Sequence, residues 1–346
     1  MPAEPDGVDR LLIEEAASFG GRPTVVLDDE TGGLSLGLPD VVGTWCDSLV
    51  DRRTVLEQAA AAGVELRVAD WLDPELFAGA GLVVVRLPKG LAALDELAEA
   101  VAEYAPPGVI LLAAGRVRHM TRGMNEVLAR HFGAVRGTLG RHKARGLVAE
   151  TPRPTPLSYP KTERHDDLDL VVCAHGAAFA GTGVDLGTRF LLTAIDRLPT
   201  GARQVVDLGC GSGVLAVAAA RALPAAIISA LDVTASAVRS TTATAAANGV
   251  ADRVLARQAD GLEGVAPDSL DLVLCNPPFH RGTALDVGTA PELFAQAGSR
   301  LRPGGELWVV WNSHLPYLPI LRRRVGSTAV LAQNPRFTLT RSVRPG

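Results

Sequence analysis

The stretch most suggestive of chemistry is Asn276-Pro277-Pro278-Phe279, which follows directly on the apolar run DLVLC at 271–275. Two adjacent prolines end the hydrogen-bonded pairing of a strand and hold the backbone rigid. The amide of Asn276 lies on one side of this rigid corner, and the ring of Phe279 lies on the other. An amide and an aromatic ring in such positions are suited to binding a flat group. The segment therefore predicts a binding site for something planar at the end of a strand.

A second candidate site is the glycine-rich turn Asp207-Leu208-Gly209-Cys210-Gly211-Ser212-Gly213, which ends one predicted strand and precedes a helix. Glycines in such a turn let the backbone bend tightly and approach a ligand that faces the helix N-terminus. The spacing is G-x-G-x-G, because Val214 stands where a dinucleotide fingerprint requires its third glycine. Taken alone the turn is weak evidence, and a purely structural turn is the alternative.

Acidic residues end the two predicted strands that follow this turn. Asp232 ends the next strand, where a carboxylate accepts hydrogen bonds from ribose hydroxyls. Asp260, followed by Gly261, ends the third strand, where an adenine amino group can donate to a carboxylate. The carboxyl ends of parallel strands share one edge, and open α/β sheets bind ligands there. Together with Asp207, these residues indicate a nucleoside site.

The elements that must position these residues alternate regularly between strand and helix, which predicts parallel sheets covered by helices on both faces. The proline-rich segment 151–166 is typical of a linker. We therefore expect an α/β fold with two similar domains, 1–150 and 167–346. The first lacks the glycine turn, since LDDETGGLSLG at 27–37 has neither its spacing nor the helix after it. We expect that domain to keep the fold without the cofactor site.

The motifs VVDLGCGSG, ALD, QADG and NPPF, in this order, resemble those of class I S-adenosylmethionine-dependent methyltransferases. NPPF followed by His280 is similar to the version in the bacterial ribosomal RNA guanine-N2 methyltransferases with duplicated domains, and the large-subunit branch is slightly favoured. The resemblance also covers four more stretches: 183–192 before the glycine turn, 303–317 and 332–343 near the end, and, more loosely, LPKG at 87–90 with KARGL at 143–147.

The resemblance implies two tandem Rossmann-like methyltransferase domains with a seven-stranded, mostly parallel sheet, the N-terminal one degenerate. It implies S-adenosylmethionine as cofactor and methyl transfer to the N2 amine of a guanine in ribosomal RNA, 23S rather than 16S. The implied cofactor-binding residues are Asp207, Gly209, Gly211, Gly213, Asp232, Asp260, Gly261 and Asn276. The implied catalytic residues are Asn276, Pro277 and Phe279, with Pro278, Phe279 and His280 contacting the substrate.

Charge is unevenly distributed along this chain of 346 residues, whose net charge is −4. Residues 116–145 hold eight Lys or Arg against Glu126 alone. Such a cluster is either a surface that binds a polyanion or an ordinary solvent-exposed face. We predict RNA binding by the first domain, with Arg116, Arg118 and Arg122 as substrate contacts.

Composition excludes several other classes of protein. The four cysteines, Cys46, Cys173, Cys210 and Cys275, form no C-x-x-C pair, which argues against structural zinc and disulfides, and we expect no metal. No apolar run has the length of a membrane span, and no signal peptide is evident, so we expect a cytoplasmic monomer.

Two other functions remain open. One is methylation of a protein glutamine or an adenine. Enzymes that act on those groups more often carry Tyr after the two prolines, at the position that Phe279 occupies here. The other is a non-catalytic RNA-binding or ribosome assembly factor. Asp185, in the stretch before the glycine turn, is either a lid over the cofactor or a helix cap.

Overall fold

The computed structural model describes residues 5–277 and 289–346. The described chain divides into two compact units. The first extends through Tyr159 and also takes in His175–Ala177, and the second consists of Pro160–Ala174 and Ala178–Gly346. Each unit has a central sheet with helices packed on it, which confirms the predicted α/β fold class.

The first unit is built on a mixed sheet of six described strands in the order β2-β1-β3-β4-β6-β5. β1 to β4 are mutually parallel, and β6 runs antiparallel to both of its neighbours. The strands are β1 (Thr24–Leu27), β2 (Val41–Trp45), β3 (Leu82–Arg86), β4 (Ile110–Arg116), β5 (Phe132–Gly137) and β6 (Ala144–Pro152). The helices are α1 (Gly7–Ala16), α2 (Gly33–Gly37), α3 (Leu49–Ala61), α4 (Pro74–Phe77), α5 (Leu91–Tyr104) and α6 (Arg122–His131).

The second unit is built on a seven-stranded sheet and a separate two-stranded ribbon, β7 (Lys161–His165) with β8 (Leu170–Ala174). The sheet contains β9 (Gln204–Leu208), β10 (Ile227–Asp232), β11 (Val254–Gln258), β12 (Leu270–Cys275), β13 (Leu301–Asn312), β14 (Ser327–Gln333) and β15 (Phe337–Val343). The helices are α7 (Leu186–Leu192), α8 (Val214–Ala222), α9 (Ala235–Ala247), α10 (Thr289–Arg300) and α11 (Tyr317–Arg324). Among these described helices and those of the first unit, none combines the length and apolarity needed to cross a membrane.

The order β11-β10-β9-β12-β13-β15-β14 reverses direction between β9 and β12. The five strands from β11 to β13 are parallel, and β12 is buried along its whole length because helices cover both faces of the sheet. Open α/β sheets bind ligands outside the carboxyl ends of strands at such a reversal. Leu208 pairs with Cys275, so the glycine turn and Asn276 leave the sheet side by side.

The structure has strand residues within the segment 151–166, which the sequence predicted to be a linker. β6 continues to Pro152, and the division between the units falls after Tyr159. Lys161–His165 form β7, in register from Lys161 opposite Ala174 to His165 opposite Leu170. This strand is polar and mostly exposed, and it is held by backbone pairing with the apolar β8, so its side chains give no alternating pattern to detect.

Candidate active site

The glycine turn adopts backbone conformations that favour glycine. Gly209, Gly211 and Gly213 have φ angles of +77°, +54° and +83°, and α8 begins immediately afterwards at Val214. A Cβ atom on Gly213 would lie 2.9 Å from the Cα of Thr241 on α9. The turn therefore requires glycine both for its conformation and, at position 213, for close packing.

Asp207 lies at the base of this turn with 1% of its surface exposed. Neither of its carboxylate oxygens has a hydrogen-bond partner among the described residues. Burial raises the pKa of Asp207 to about 7, and repulsion from the Asp232 carboxylate adds to the shift. A buried, unpartnered carboxylate is costly unless a ligand supplies a donor, and Asp207 lines an open cleft.

Asp232, at the end of β10, holds the turn in place. Its Oδ2 accepts a hydrogen bond from the backbone N–H of Gly211 at 3.1 Å. Its Oδ1 accepts from the backbone N–H and the hydroxyl of Thr234 at 3.0 and 2.9 Å. The carboxylate is only partly buried, so it can still meet a ligand beside the turn.

Asp260 and Gly261 follow β11 at the same edge of the sheet. Asp260 is exposed, and Gly261 has a φ angle of +60°. A Cβ atom on Gly261 would lie 2.2 Å from Oε1 of Gln296, which also accepts a hydrogen bond from the N–H of Leu262 at 2.8 Å. A larger residue at position 261 would displace the Gln296 amide and disrupt its hydrogen bond with Leu262.

Asn276 follows β12 with its side-chain amide fixed from one side. Its Nδ2 donates to Oδ2 of Asp185 at 2.9 Å and to the hydroxyl oxygen of Thr188 at 3.1 Å. Its Oδ1 is buried and has no hydrogen-bond partner within the described part of the chain. The amide thus presents an unused acceptor beside the glycine turn.

The cleft brings together several of the predicted residues with others that sequence reasoning missed. It is lined by Asp207, Gly209, Gly211 and Asn276 from the prediction, and also by Phe179, Ala180, Gly183, Asp185, Thr188, Cys210, Ser212, Val214 and Leu215. Other predicted residues lie at the same edge of the sheet, after β9, β10 and β11, but are not among the described residues that line the cleft: Gly213, Asp232, Asp260 and Gly261. Pro278, Phe279 and His280 lie outside the described residues, as does much of the segment after them.

Phe179 is the most conspicuous of the missed residues, because 67% of its surface is exposed although it lines the cleft. Its only signal in the sequence is a single aromatic residue among small ones in HGAAFAG. Asp185 has both the cap role that the sequence suggested, accepting hydrogen bonds from the N–H groups of Gly187 and Thr188, and a contact with Asn276. Burial raises the pKa of Cys210 and of Cys275, so neither thiol is an activated nucleophile.

The predicted RNA contacts of the first unit differ from one another. Arg116 lies 3.6 Å from a carboxylate oxygen of Asp6, and Arg122 lies 3.1 Å from one of Glu126. Arg118 is exposed and donates to the His119 ring at 3.0 Å. Further basic residues of the same run also face carboxylates: Arg130 faces Asp95, Arg136 faces Glu150, and Arg141 faces Glu14 and Glu15. Much of the basic charge in 116–145 is therefore neutralised within the unit.

Comparison with known proteins gives the family. Residues 169–341 match the model of the methyltransferase small domain, and residues 6–154 match that of the RLMG N-terminal domain. The chain belongs to the methyltransferase small domain family. It is 40% identical to a Pseudomonas paraeruginosa protein and 35% identical to one from Streptomyces avermitilis, both called ribosomal RNA large subunit methyltransferase G. These alignments cover 97% and 98% of this chain and 92% of each relative.

The fold also matches that of a solved methyltransferase along nearly the whole chain. A T. thermophilus 16S rRNA N2 methyltransferase, in complex with AdoMet and guanosine, superposes with a TM-score of 0.78 at 24% sequence identity. The match covers 98% of this chain and 92% of that one. It confirms that both units have the methyltransferase fold.

Proposed function

We propose that this methyltransferase transfers a methyl group from S-adenosylmethionine to the N2 amine of a guanine in large-subunit ribosomal RNA. The observation that carries the proposal is Oδ1 of Asn276, beside the glycine turn, which is buried and accepts no hydrogen bond from any residue that the structure describes. Such an acceptor, fixed in place before substrate arrives, suits an exocyclic amine, whose N–H groups donate hydrogen bonds.

The residues of the cleft fit the cofactor. Asp207 offers a buried carboxylate that lies near the backbone N–H of Ala216 but accepts no hydrogen bond of ordinary geometry from the described residues, which suits the ammonium group of an amino acid. At the glycines of the turn beside Asp207, no side chain separates the backbone from a ligand. The Asp232 carboxylate, at the end of the next strand, is suited to accept hydrogen bonds from ribose hydroxyls. The Asp260 and Gly261 pair at the end of β11 would then border the adenine. When bound, S-adenosylmethionine supplies an electrophilic methyl group on a sulfonium.

Asn276 and Pro277 would orient the attacking nitrogen. The lone pair of an exocyclic purine amine is delocalised into the ring, so the amine is a poor nucleophile. Acceptance of one N–H by Oδ1 of Asn276 and the other by the carbonyl of Pro277 fixes the amine and favours its pyramidal form. Phe279 would stack on the flipped base, an interaction worth about 1–3 kcal/mol. The N–H proton can leave after methyl transfer, so no general base is required.

The choice of ribosomal subunit rests on the relatives. Those called large-subunit enzymes are 33% to 40% identical over nearly the whole chain, whereas the 16S enzyme of known structure is 24% identical. We therefore favour 23S ribosomal RNA as substrate. The first unit, which has no glycine turn in its described residues, would hold RNA, and Arg118 is its best candidate contact. Such a substrate makes the cytoplasm the expected location, and we expect the enzyme to act as a monomer.

The proposal is tested with purified full-length chain, labelled methyl donor and unmodified transcripts of 23S and 16S ribosomal RNA. Mass spectrometry of the released nucleosides identifies the product, and nuclease mapping locates the label. We expect N2-methylguanosine at one position of the 23S transcript. N6-methyladenosine, or label confined to 16S RNA, would contradict the proposed substrate. A chain that binds no cofactor and transfers no label would indicate an assembly factor instead.

A further inference from the structure

We infer that Asp185 and Thr188 are positioning residues that lock the amide of Asn276 with its oxygen toward the substrate amine. This inference rests on the proposed function and adds to it a specific role for the first turn of α7. Both residues contact the same atom, Nδ2 of Asn276, at 2.9 and 3.1 Å. Both also line the cleft beside the glycine turn.

The orientation of the Asn276 amide follows from the different hydrogen-bonding roles of its two ends, although the two ends have similar shapes. An amide has an oxygen that only accepts and a nitrogen that only donates hydrogen bonds. Asp185 presents a carboxylate oxygen, which only accepts when ionised, so turning the amide over would bring two acceptors together. The NH₂ group of Asn276 must therefore face Asp185, which leaves Oδ1 as the end of the amide without a partner among the described residues.

Asp185 is itself held by the helix that it caps. Its Oδ2 accepts hydrogen bonds from the backbone N–H groups of Gly187 at 2.8 Å and Thr188 at 3.2 Å. The same oxygen therefore joins the start of α7 to Asn276. The start of α7 also packs closely against Asn276, because a Cβ atom on Gly187 would lie 3.2 Å from Oδ1 of Asn276 and 3.0 Å from Oδ2 of Asp185.

This arrangement matters for rate rather than for substrate binding. If Asn276 lost its two partners, the amide would rotate freely and would often present its NH₂ group to the substrate. Two N–H donors facing each other cannot form the hydrogen bond that fixes the attacking amine. The fraction of productive complexes would fall, while the cofactor would still find its own contacts.

The decisive substitutions remove the anchor while retaining the fold. Thr188→Val replaces the hydroxyl by a methyl group of similar size, and Thr188→Ser restores the oxygen. Asp185→Ser keeps a residue able to cap the helix but too short to reach Asn276. Thr193→Val is the matched control, since the Thr193 hydroxyl near the other end of α7 is exposed and donates only to the Phe190 carbonyl among the described partners.

Single-turnover methyl transfer at saturating RNA and cofactor is measured for each variant, with cofactor affinity and Tm alongside. Loss of one anchoring hydrogen bond should slow transfer about 5-fold in Thr188→Val and about 10-fold in Asp185→Ser. Thr188→Ser and Thr193→Val should retain the wild-type rate. Because Asp185 and Thr188 also line the cofactor cleft, the affinity measured for each variant sets the saturating cofactor concentration, so that a change in affinity does not enter the rate. A wild-type rate in both Thr188→Val and Asp185→Ser would overturn the inference.

A double-mutant cycle tests whether the effect passes through Asn276. Thr188→Val should add no further slowing in an Asn276→Ala background, because the amide that it orients is already gone. Equal slowing in both backgrounds would assign Thr188 a role in folding or substrate binding and would refute positioning. Failure of the wild type to form N2-methylguanosine would instead refute the proposed function, and the positioning role with it, so the two failures are distinguishable.

Discussion

The two units have the same sheet but different chemistry at its carboxyl edge. The order in the first is β2-β1-β3-β4-β6-β5, and the second repeats that order with one additional strand, β11, beside the strand that corresponds to β2. In both, the last two strands pair antiparallel. The described parts of the units therefore differ less in framework than in the side chains that end each strand, which indicates a duplication.

The loop after the first strand shows the difference most clearly. In the first unit the carboxylate of Asp29 accepts hydrogen bonds from the N–H groups of Thr31, Gly32 and Ser35 at 3.2, 2.9 and 2.8 Å. The expectation that no helix follows this segment was wrong, because α2 begins at Gly33, and the unit satisfies the N-terminus of that short helix with a buried side chain. The corresponding turn of the second unit, 209–213, borders an open cleft instead.

Alignment of VVL at 25–27 with VVD at 205–207 places Leu27 at the position of Asp207, and strand register extends this alignment to the neighbouring strands. Leu27 of β1 pairs with Val85 of β3, as Asp207 of β9 pairs with Leu274 of β12. Two positions further along, Leu87 corresponds to Asn276. Asp207 and Asn276, whose buried oxygens have no partner among the described residues, are thus replaced by leucines in the first unit, and the comparison teaches that the fold alone does not make the site.

The largest expected effect comes from removing the Asn276 side chain, compared with the same change at the corresponding position 87. Asn276→Ala should lower the single-turnover methylation rate about 100-fold, because it removes an acceptor that strengthens its hydrogen bond as the nitrogen becomes cationic. Leu87→Ala, the matched change in the first unit, should leave the rate per folded molecule unchanged. Near wild-type transfer by Asn276→Ala would contradict the mechanism.

Asp207 should make cofactor binding depend on pH. Its pKa of about 7 means that the free protein carries a neutral Asp207 below that pH, so affinity for the cationic cofactor should fall as pH drops from 8 to 6. Calorimetric titration of Asp207→Asn should show weaker binding with little of this pH dependence. An undiminished pH dependence in Asp207→Asn would assign the titration to another group.

The same shift predicts a gain in stability on substitution. Because the folded pKa lies above the ordinary value of 3.8, ionisation of Asp207 costs the folded state stability as pH rises through about 7. Asp207→Asn should therefore raise the Tm of the cofactor-free protein more at pH 8 than at pH 5. The reverse order would contradict the sign of the shift.

The smallest effect is expected in the first unit. Arg118→Ala should weaken RNA binding and reduce the slope of affinity against salt by about one, as for a lost phosphate contact. Arg122→Ala is the control, since Glu126 already neutralises that charge. Equal effects of the two substitutions, measured by filter binding at several salt concentrations, would argue against a specific role for Arg118.

Much of this architecture could be predicted from sequence, because apolar runs and turn residues are local signals. The glycine turn and Asp232 lie at the strand ends where they were expected. β5 and β7 could not be predicted, since both are largely exposed, neither alternates apolar and polar residues, and both exist through backbone pairing. The ion pairs that neutralise the basic run join residues distant in sequence, such as Arg141 with Glu14, and no local pattern reports them.

The site was predictable at its motifs and less so between them. Each motif residue lies near a strand end and has a recognisable type, whereas the contact of Asn276 with Asp185 spans 91 positions of the chain. Whether an amide oxygen is left without a partner depends on that long-range packing. Phe179 gave no signal because a single exposed aromatic residue is ordinary in any loop.

The central claim, that the cofactor site belongs to the second unit alone, is tested most directly by calorimetric titration of the full-length chain with S-adenosylmethionine. The account predicts one molecule bound per chain. Asp232→Ala removes both the anchor of Gly211 and the proposed ribose acceptor, and should cost about 1.5–3 kcal/mol of binding. Asp47→Ala changes the residue that strand register places at the same position in the first unit and should leave binding unaltered. Two molecules per chain, or a loss caused by Asp47→Ala and not by Asp232→Ala, would contradict it.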